Sequence, residues 1–201
     1  MKEEITIVIP LRSHPQDDAD ITLWSLQDSS FKNYSVILVP DQGRGANWAR
    51  NKGLGMVNTK YVLFSDNDIK WQARGIEWLL DELKRDPKAS YAYGVWEDLR
   101  DKEKWILSEE EFDPAELRKR NYISTMSLFV TENIKRVSGF DPKIHRLQDW
   151  DLYLTMWEHD MYGVNCGKVI FTTESGGGIT SEENFPYEKA KKAVLDKHKL
   201  K

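Results

Sequence analysis

The sequence is poor in several features that would each have narrowed its class. It has one cysteine, Cys166, in 201 residues, so no intrachain disulfide can form. A lone cysteine fits a reducing compartment. No apolar run approaches the ~18 residues that a membrane-crossing helix needs. The N-terminus, MKEEITIVIP, has no basic region, apolar stretch and cleavage site of a signal peptide. These absences predict a soluble chain, cytoplasmic or membrane-peripheral, with no transmembrane segment. Positive charge is not in excess: 29 Lys and Arg stand against 33 Asp and Glu, a net charge of −4. That excludes nucleic-acid binding through a broadly basic surface and leaves a carbohydrate or nucleotide partner dependent on a local basic site. The histidines at 14, 145, 159 and 198 lack zinc-ligand spacing. Internal repeats, low-complexity tracts and interdomain linkers are also missing.

What is present reads as one globular domain. Hydrophobic residues make up 40% and charged residues 31%, enough apolar material for a core in a chain of this length. Strand and helix signals alternate. Ile5 to Ile9 is an apolar β-branched run closed by Pro10. Asp17 to Gln27 reads as a helix, with Asp17 or Asp18 as its cap. Val36 to Val39 is a continuous apolar run, as in a strand covered on both faces, and Pro40-Asp41-Gln42-Gly43 follows as a turn. Ala46, Ala49, Gly53 and Val57 give a helix a small-residue face. Tyr61 to Phe64 is a buried strand running into Ser65-Asp66-Asn67-Asp68. Ile76, Leu79, Leu80 and Leu83 recur at helical spacing. Tyr91 to Trp96 reads as a strand, and Leu99 to Arg120 as a charged stretch with a short helix after Pro114. Strands at Tyr122 to Val130 and Val169 to Phe171 are predicted, with helices at Asp149 to His159 and Tyr187 to Leu200. The alternation predicts an α/β fold whose central, mainly parallel sheet is flanked by helices. Such sheets bind ligands beyond the carboxyl ends of their strands.

Three acidic sites fall at such places. Asp66 and Asp68 leave a buried strand one residue apart, where two carboxylates can face one cavity and bind a hard divalent cation; a polar turn is the plain alternative. Asp41 could bind a ribose hydroxyl or a base edge, or only shape its turn. Asp149 and Asp151 open a helix, where one of them could act as a general base, although Asp at that place commonly caps the helix. Arg12 and Arg50 are candidate donor contacts, with structural ion pairs as the alternative. Gly43-Arg44-Gly45 could cradle a phosphate at a helix start, and the Gly176–Gly178 loop could close over a ligand. Trp96, Trp105 and Trp150 could stack on sugar faces or pack in the core.

Taken in order, these segments resemble the inverting glycosyltransferases of family 2, which have the GT-A fold. The resemblance covers roughly Ile5 to Lys168. ITIVIPLRS is similar to the family's opening strand and loop. TLWSLQDSSFKNYSVILVPD resembles its first helix and second strand, ending in Asp41. GANWARNKGL is close to the helix before the metal strand, and YVLFSDNDI matches the Asp-x-Asp segment. GFDPKIHRLQDWDLYLTM is the most specific match and sets Asp149 at the position of the catalytic base. Two departures stand out. The family's Asp-Asp-Gly-Ser, with a further helix and strand behind it, is replaced by Pro40-Asp41-Gln42-Gly43 running almost directly into Gly45-Ala46-Asn47, so a shortened, somewhat truncated α/β core is expected. Gln148 stands where the family usually has Glu. The chain also ends early against the family's pattern, so by the resemblance acceptor-binding or membrane-associating parts are expected to be absent from it.

The resemblance implies a metal-dependent transfer of a sugar, with inversion, from a nucleotide-diphosphate sugar to an acceptor hydroxyl. It implies Asp149 as base, Asp68 with Asp66 as ligands of Mn2+ or Mg2+, and Pro10, Arg12, Asp41, Arg50, Asp66 and Asn67 as contacts of a donor, first of all a UDP-sugar. Residues 1–96 would form the nucleotide and metal half of a single domain and residues 97–201 the acceptor half. The acceptor would be a saccharide or another hydroxyl compound. The competing readings are a sugar-nucleotide nucleotidyltransferase, which usually needs a Gly-rich loop and lysine where Pro10-Leu11-Arg12-Ser13 stands, and a non-catalytic carbohydrate- or nucleotide-binding domain. A phosphatase of the Asp-x-Asp-x-Thr type fails at Lys70.

Overall fold

Ile5–Leu11 forms β1, and its side chains alternate between two cores. Ile5, Ile7 and Ile9 enter one apolar cluster and Val8 the other, the period-two pattern of a strand covered on both faces. The same alternation holds in β3 (Tyr61–Phe64), where Tyr61 and Leu63 face one side and Val62 and Phe64 the other. The computed structural model describes residues 4–12, 19–100, 103–174 and 186–200. The expected caps Asp17 and Asp18, His14 and the Gly176–Gly178 loop lie outside them.

The remaining elements are α1 (Asp20–Gln27), β2 (Tyr34–Pro40), α2 (Ala46–Met56), β4 (Ile69–Trp71), α3 (Gly75–Arg85), β5 (Tyr91–Arg100), β6 (Glu103–Leu107), α4 (Pro114–Leu117), β7 (Leu128–Val130), α5 (Thr131–Arg136), α6 (Gln148–Glu158), β8 (Gly163–Thr173) and α7 (Tyr187–Lys197). The strands make one sheet in the order β2-β1-β3-β7-β5-β8-β4, with β6 paired to β5 as a hairpin. β2, β1 and β3 run parallel, as do β5 and β8. β7 lies antiparallel between β3 and β5, and β4 antiparallel to β8. The α/β class stands, and the sheet is mixed. Apolar residues of α2, α6 and α7 join one core; those of α1 and α3 join the other. No helix among the described residues is long and apolar enough to cross a membrane.

Several elements depart from the sequence reading. β1 continues through Pro10, because only its β2 side pairs that far, and a proline is tolerated where no ladder partner asks for its N–H. β2 is the sheet edge and not a strand covered on both sides: Leu38 is 43% exposed. Only Asp41 to Gly45 separate β2 from α2, so the shortened connection holds. Of Tyr122 to Val130, only Leu128–Val130 is strand. Side chains take over the backbone of the preceding loop: the Ser108 hydroxyl donates to the Tyr122 carbonyl at 2.6 Å and the Tyr153 hydroxyl to Ser124 O at 2.7 Å. β6 was invisible because its residues Glu103–Ile106 are all exposed, leaving no half-buried alternation.

Gly53 sets the spacing of α2 over the sheet. A Cβ there would lie 2.3 Å from Val8 Cγ1. Gly53→Ala should therefore destabilise the protein by about 1–3 kcal/mol through overpacking, reversing the gain that Ala normally brings inside a helix; chemical denaturation at constant m-value measures it.

Helix α7 is fastened to α6 by a charged cluster. Asp151, 1% exposed, accepts from His198 Nε2 at 2.9 Å and pairs with Lys197 Nζ at 2.7 Å. His198 Nδ1 lies 2.9 Å from Glu158, and Lys197 also reaches Asp141 at 2.9 Å. Burial opposes the charging of His198, and its bonds to Asp151 and Glu158 outweigh that, so its pKa is raised.

Candidate functional site

The carboxyl ends of β1, β2 and β3 lie side by side and place the predicted donor residues together. Leu11 is in register with Pro40, and the Asp41 N–H donates to the Leu11 carbonyl at 2.8 Å. Asp41 is buried; its Oδ1 accepts from the Gly43 N–H at 2.9 Å, and its carbonyl accepts from the Arg44 N–H at 2.9 Å. The turn-forming role of Asp41 is thus visible, with Gln42 and Gly43 both at positive φ, 55° and 74°. Pro10 is buried and Arg12 exposed. At the end of β3, Ser65 N–H donates to the Val8 carbonyl at 3.1 Å, and Asp66, Asn67 and Asp68 follow.

Arg50, projecting from α2, is the anchor of that segment. It is 3% exposed. Its Nη2 donates to Asp66 Oδ1 at 2.7 Å, its Nη1 to Asn47 Oδ1 at 3.4 Å, and its guanidinium carbon sits 5.3 Å from the Phe140 ring centre. The Nε is buried with no partner. A buried arginine this close fixes the Asp66 carboxylate and neutralises part of its charge. Desolvation and then the Asp66 charge raise the pKa of Asp68, against the pull of Arg12. Burial is the larger cause, and the Asp66 charge adds to it; repulsion of that kind is what a cation relieves. Among the described residues no three His, Cys, Asp or Glu side chains gather as a complete metal cage. A divalent cation would rest on Asp66 and Asp68, with its other positions left to phosphate oxygens and water.

Beside this segment opens a cavity of about 450 Å³ that Arg50, Asp66, Asn121, Gln148 and Asp149 all line. Leu147, in the left-handed conformation at φ 61°, turns the chain into α6 and contributes no side-chain cap. Asp149 follows in the first turn. It accepts from the Trp150 N–H at 2.9 Å, and Asn121 shares the cavity wall with it. Burial raises the Asp149 pKa; Asn121, the backbone amides and the Arg50 charge hold it partly back. A carboxylate with raised pKa in a cavity wall is suited to take up a proton.

Asp151 is not an alternative base. Two residues along a helix is a rotation of about 200°, and Asp151 accordingly points to His198 and Lys197 on the other side. Trp150 is core, 1% exposed, with its indole N–H on the Leu117 carbonyl at 2.6 Å. Trp105 is 54% exposed on β6. Trp96 alone of the three lines the cavity, stacked at 5.5 Å on Phe171. Gly43-Arg44-Gly45 is a plain turn into α2, and His145 is exposed. No sequence signal marked Asn121, the β6 residues Ile106 and Leu107, or Tyr187 as cavity walls. They lie in a charged stretch and a C-terminal helix that carry no motif.

The profile of the family described as "Glycosyl transferase family 2" matches residues 20–139, more than half of the chain. No curated protein matches. Among solved structures, that of S. aureus TarS 1–349 in complex with UDP-GlcNAc aligns with a TM-score of 0.77 at 12% identity, over 96% of this chain and 66% of that one. The complex of the same protein with UDP gives 0.68 at 13% identity, over 86% and 61%. The S. aureus TarS structure not limited to residues 1–349 gives 0.68 at 12% identity, over 86% and 37%. The chain thus spans less than two-thirds of the length of these structures, and at such identity the likeness is one of fold.

Proposed function

The chain belongs to glycosyl transferase family 2 and has its GT-A fold, and from that premise we propose that it transfers a sugar from a nucleotide-diphosphate donor to an acceptor hydroxyl with inversion. The observation that carries the reading is the cavity that joins the Arg50–Asp66 pair at the end of β3 to Asp149 at the start of α6. It sets a nucleotide-side anchor and a basic carboxylate on one space.

In this reading the nucleoside diphosphate lies in the crevice of Pro10, Arg12, Asp41 and Asn67, with Asp41 on its ribose or base and the sugar directed into the cavity. Arg50 holds Asp66 in place through its Nη2. A divalent cation, Mn2+ or Mg2+, held by Asp68 with Asp66, would supply positive charge to the departing diphosphate. Asp149 takes the proton of the acceptor hydroxyl as that oxygen bonds to the anomeric carbon. The bond from this carbon to the diphosphate oxygen breaks, and its electron pair leaves with the diphosphate. Attack from the face opposite the leaving group inverts the centre. A UDP-sugar is the first choice of donor, supported by the UDP-GlcNAc and UDP complexes of the TarS structures. The acceptor side falls to residues 97–201 of a single transferase domain.

Calorimetry with UDP, GDP, dTDP and CDP tests the donor site. UDP should bind more tightly with Mn2+ than in EDTA, and Asp68→Ala should remove the difference, because one carboxylate and two phosphates make a better oxygen cage together than apart. Binding of none of the four nucleotides with metal present would end the donor assignment. Equal UDP affinity in Mn2+ and EDTA would end the metal assignment.

A further inference from the structure

We propose that Asn47 and Asn51 are positioning residues that hold the loop 139–144 against α2 and so set the place of Asp149 relative to the Arg50–Asp66 pair. The inference rests on the reading of Asp149 as the base. Asn47, Arg50 and Asn51 stand at helical positions i, i+3 and i+4 of α2 and share one face of it. Asn47 is buried, and its whole amide is used. Its Nδ2 donates to the Asp141 carbonyl at 3.0 Å and to the Ile144 carbonyl at 2.7 Å, and its Oδ1 accepts from Arg50 Nη1 at 3.4 Å. Asn51 takes both backbone groups of one residue. Its Nδ2 donates to the Phe140 carbonyl at 2.6 Å, and its Oδ1 accepts from the Phe140 N–H at 2.9 Å. Gly139 lets the loop come this close. It sits at φ 70°, and a Cβ there would fall 2.4 Å from Asn51 Oδ1. The Phe140 ring then packs edge-on to Phe64, the last residue of β3, at 5.0 Å.

Packing alone does not ask for two amides here. Residues 137–147, between α5 and α6, form neither helix nor strand, so their backbone groups depend on other partners. An apolar α2 face would leave the carbonyls of Phe140, Asp141 and Ile144 without these donors. A fully bonded buried network also fixes one arrangement where apolar contacts tolerate several. The arrangement fixed is that of the chain entering α6. Ile144 lies five residues before Asp149, and Leu147 makes the left-handed turn between them. The rest of α6 is tied elsewhere, through the Trp150 indole to Leu117 O and through Asp151 to α7. Those ties act from Trp150 onward and leave the entry to the loop. On the donor side, Arg50 holds Asp66 at 2.7 Å from the same face of α2. One helix face therefore carries both the donor-side anchor and the support of the base. A shift of about 1 Å between reacting groups can cost about 10²-fold in rate, which gives such a bracket a catalytic value.

Hydrogen exchange of the full chain in the absence of ligand tests this without an acceptor. In Asn47→Ala and in Asn51→Ala, exchange should quicken by about tenfold over residues 140–151, as the loss of a buried hydrogen-bond partner predicts. The decisive amides are those of Trp150 and Asp151 in the first turn of α6, bonded to Asp149 Oδ1 and Leu147 O. β1 and β3 should keep their wild-type protection. Asn47→Asp keeps the size and still accepts from Arg50, but it cannot donate to the two carbonyls, and it should loosen the same residues. UDP affinity should stay within about twofold in all three, since the nucleotide crevice contains neither asparagine and distant sites act independently. Turnover of a UDP-sugar, read as UDP release, should fall by about 10–100-fold with donor KM unchanged. Wild-type exchange at Trp150 and Asp151 overturns the proposal, and so does loosening spread evenly over the chain. Wild-type turnover beside a loosened first turn overturns it as well. Should the alanine variants not fold, Asn47→Asp decides. Transfer by Asp149→Asn at the wild-type rate would sink the base assignment and leave the exchange result standing, so the two failures are separate.

Discussion

Asp149→Asn is expected to abolish sugar transfer while leaving the fold and the donor site intact. The Asn oxygen can still accept from the Trp150 N–H, which Asp149 takes at 2.9 Å, so the first turn of α6 keeps its bond. What is lost is the basic carboxylate, and loss of a general base typically lowers rate by about 10²–10⁴-fold. Stability should not fall. Burial raises the pKa of Asp149, so the folded state holds the proton more tightly than the unfolded chain. Between the ordinary carboxylate value and the raised one the folded protein carries more protons. Its stability therefore drops as pH rises through that window. Asn has no such charge, and the variant should be as stable as the wild type at neutral pH, or more so. For the same reason transfer by the wild type should lose rate on acidification at a pH above the usual carboxylate range. Thermal unfolding, UDP calorimetry and a transfer assay against screened saccharide and lipid-linked acceptors measure the three parts. Transfer by the Asn variant at close to the wild-type rate would remove Asp149 from the chemistry.

Asp151→Ala should do the reverse, with little direct effect on chemistry and a large loss of stability. Asp151 is 1% exposed and holds both His198 and Lys197. Its removal leaves one buried imidazole and one half-buried ammonium short of their partner. Breaking a buried charge pair from one side typically costs about 3–5 kcal/mol. The pH dependence carries a second signature. The raised pKa of His198 means that its contribution is fully present below the unfolded imidazole value and is lost as pH rises through the folded one. Wild-type stability should thus decline as pH rises above the unfolded imidazole value and through the raised one, and the Ala variant should show a flatter profile over that window. Urea unfolding at several pH values measures both. A variant within about 1 kcal/mol of the wild type would show that the cluster contributes only what a surface pair does.

These opposite expectations for two carboxylates of one short segment, Asp149-Trp150-Asp151, mark where sequence reading stops. The order of apolar runs, the Gly53 face and the acidic strand end at Asp66 to Asp68 were legible because each depends on local chemistry: strand periodicity, close helix approach, turn formation. The α/β class follows from that order. The antiparallel place of β7, the edge position of β2 and the hairpin of β6 were not legible, since strand neighbours are chosen by burial between distant segments. Motif order placed Asp149 at the start of α6. It could not say that Asp149 faces a cavity with Arg50 while Asp151 faces α7, although a helix turning about 100° per residue makes opposite sides inevitable once one side is known. Asn121 had no local signal at all. Its place in the cavity wall depends on the loop ahead of β7 lying beside the start of α6. The chain's own residues thus determine which chemistry is available, and the packing of α6 between the sheet and α7 decides which carboxylate is offered to it.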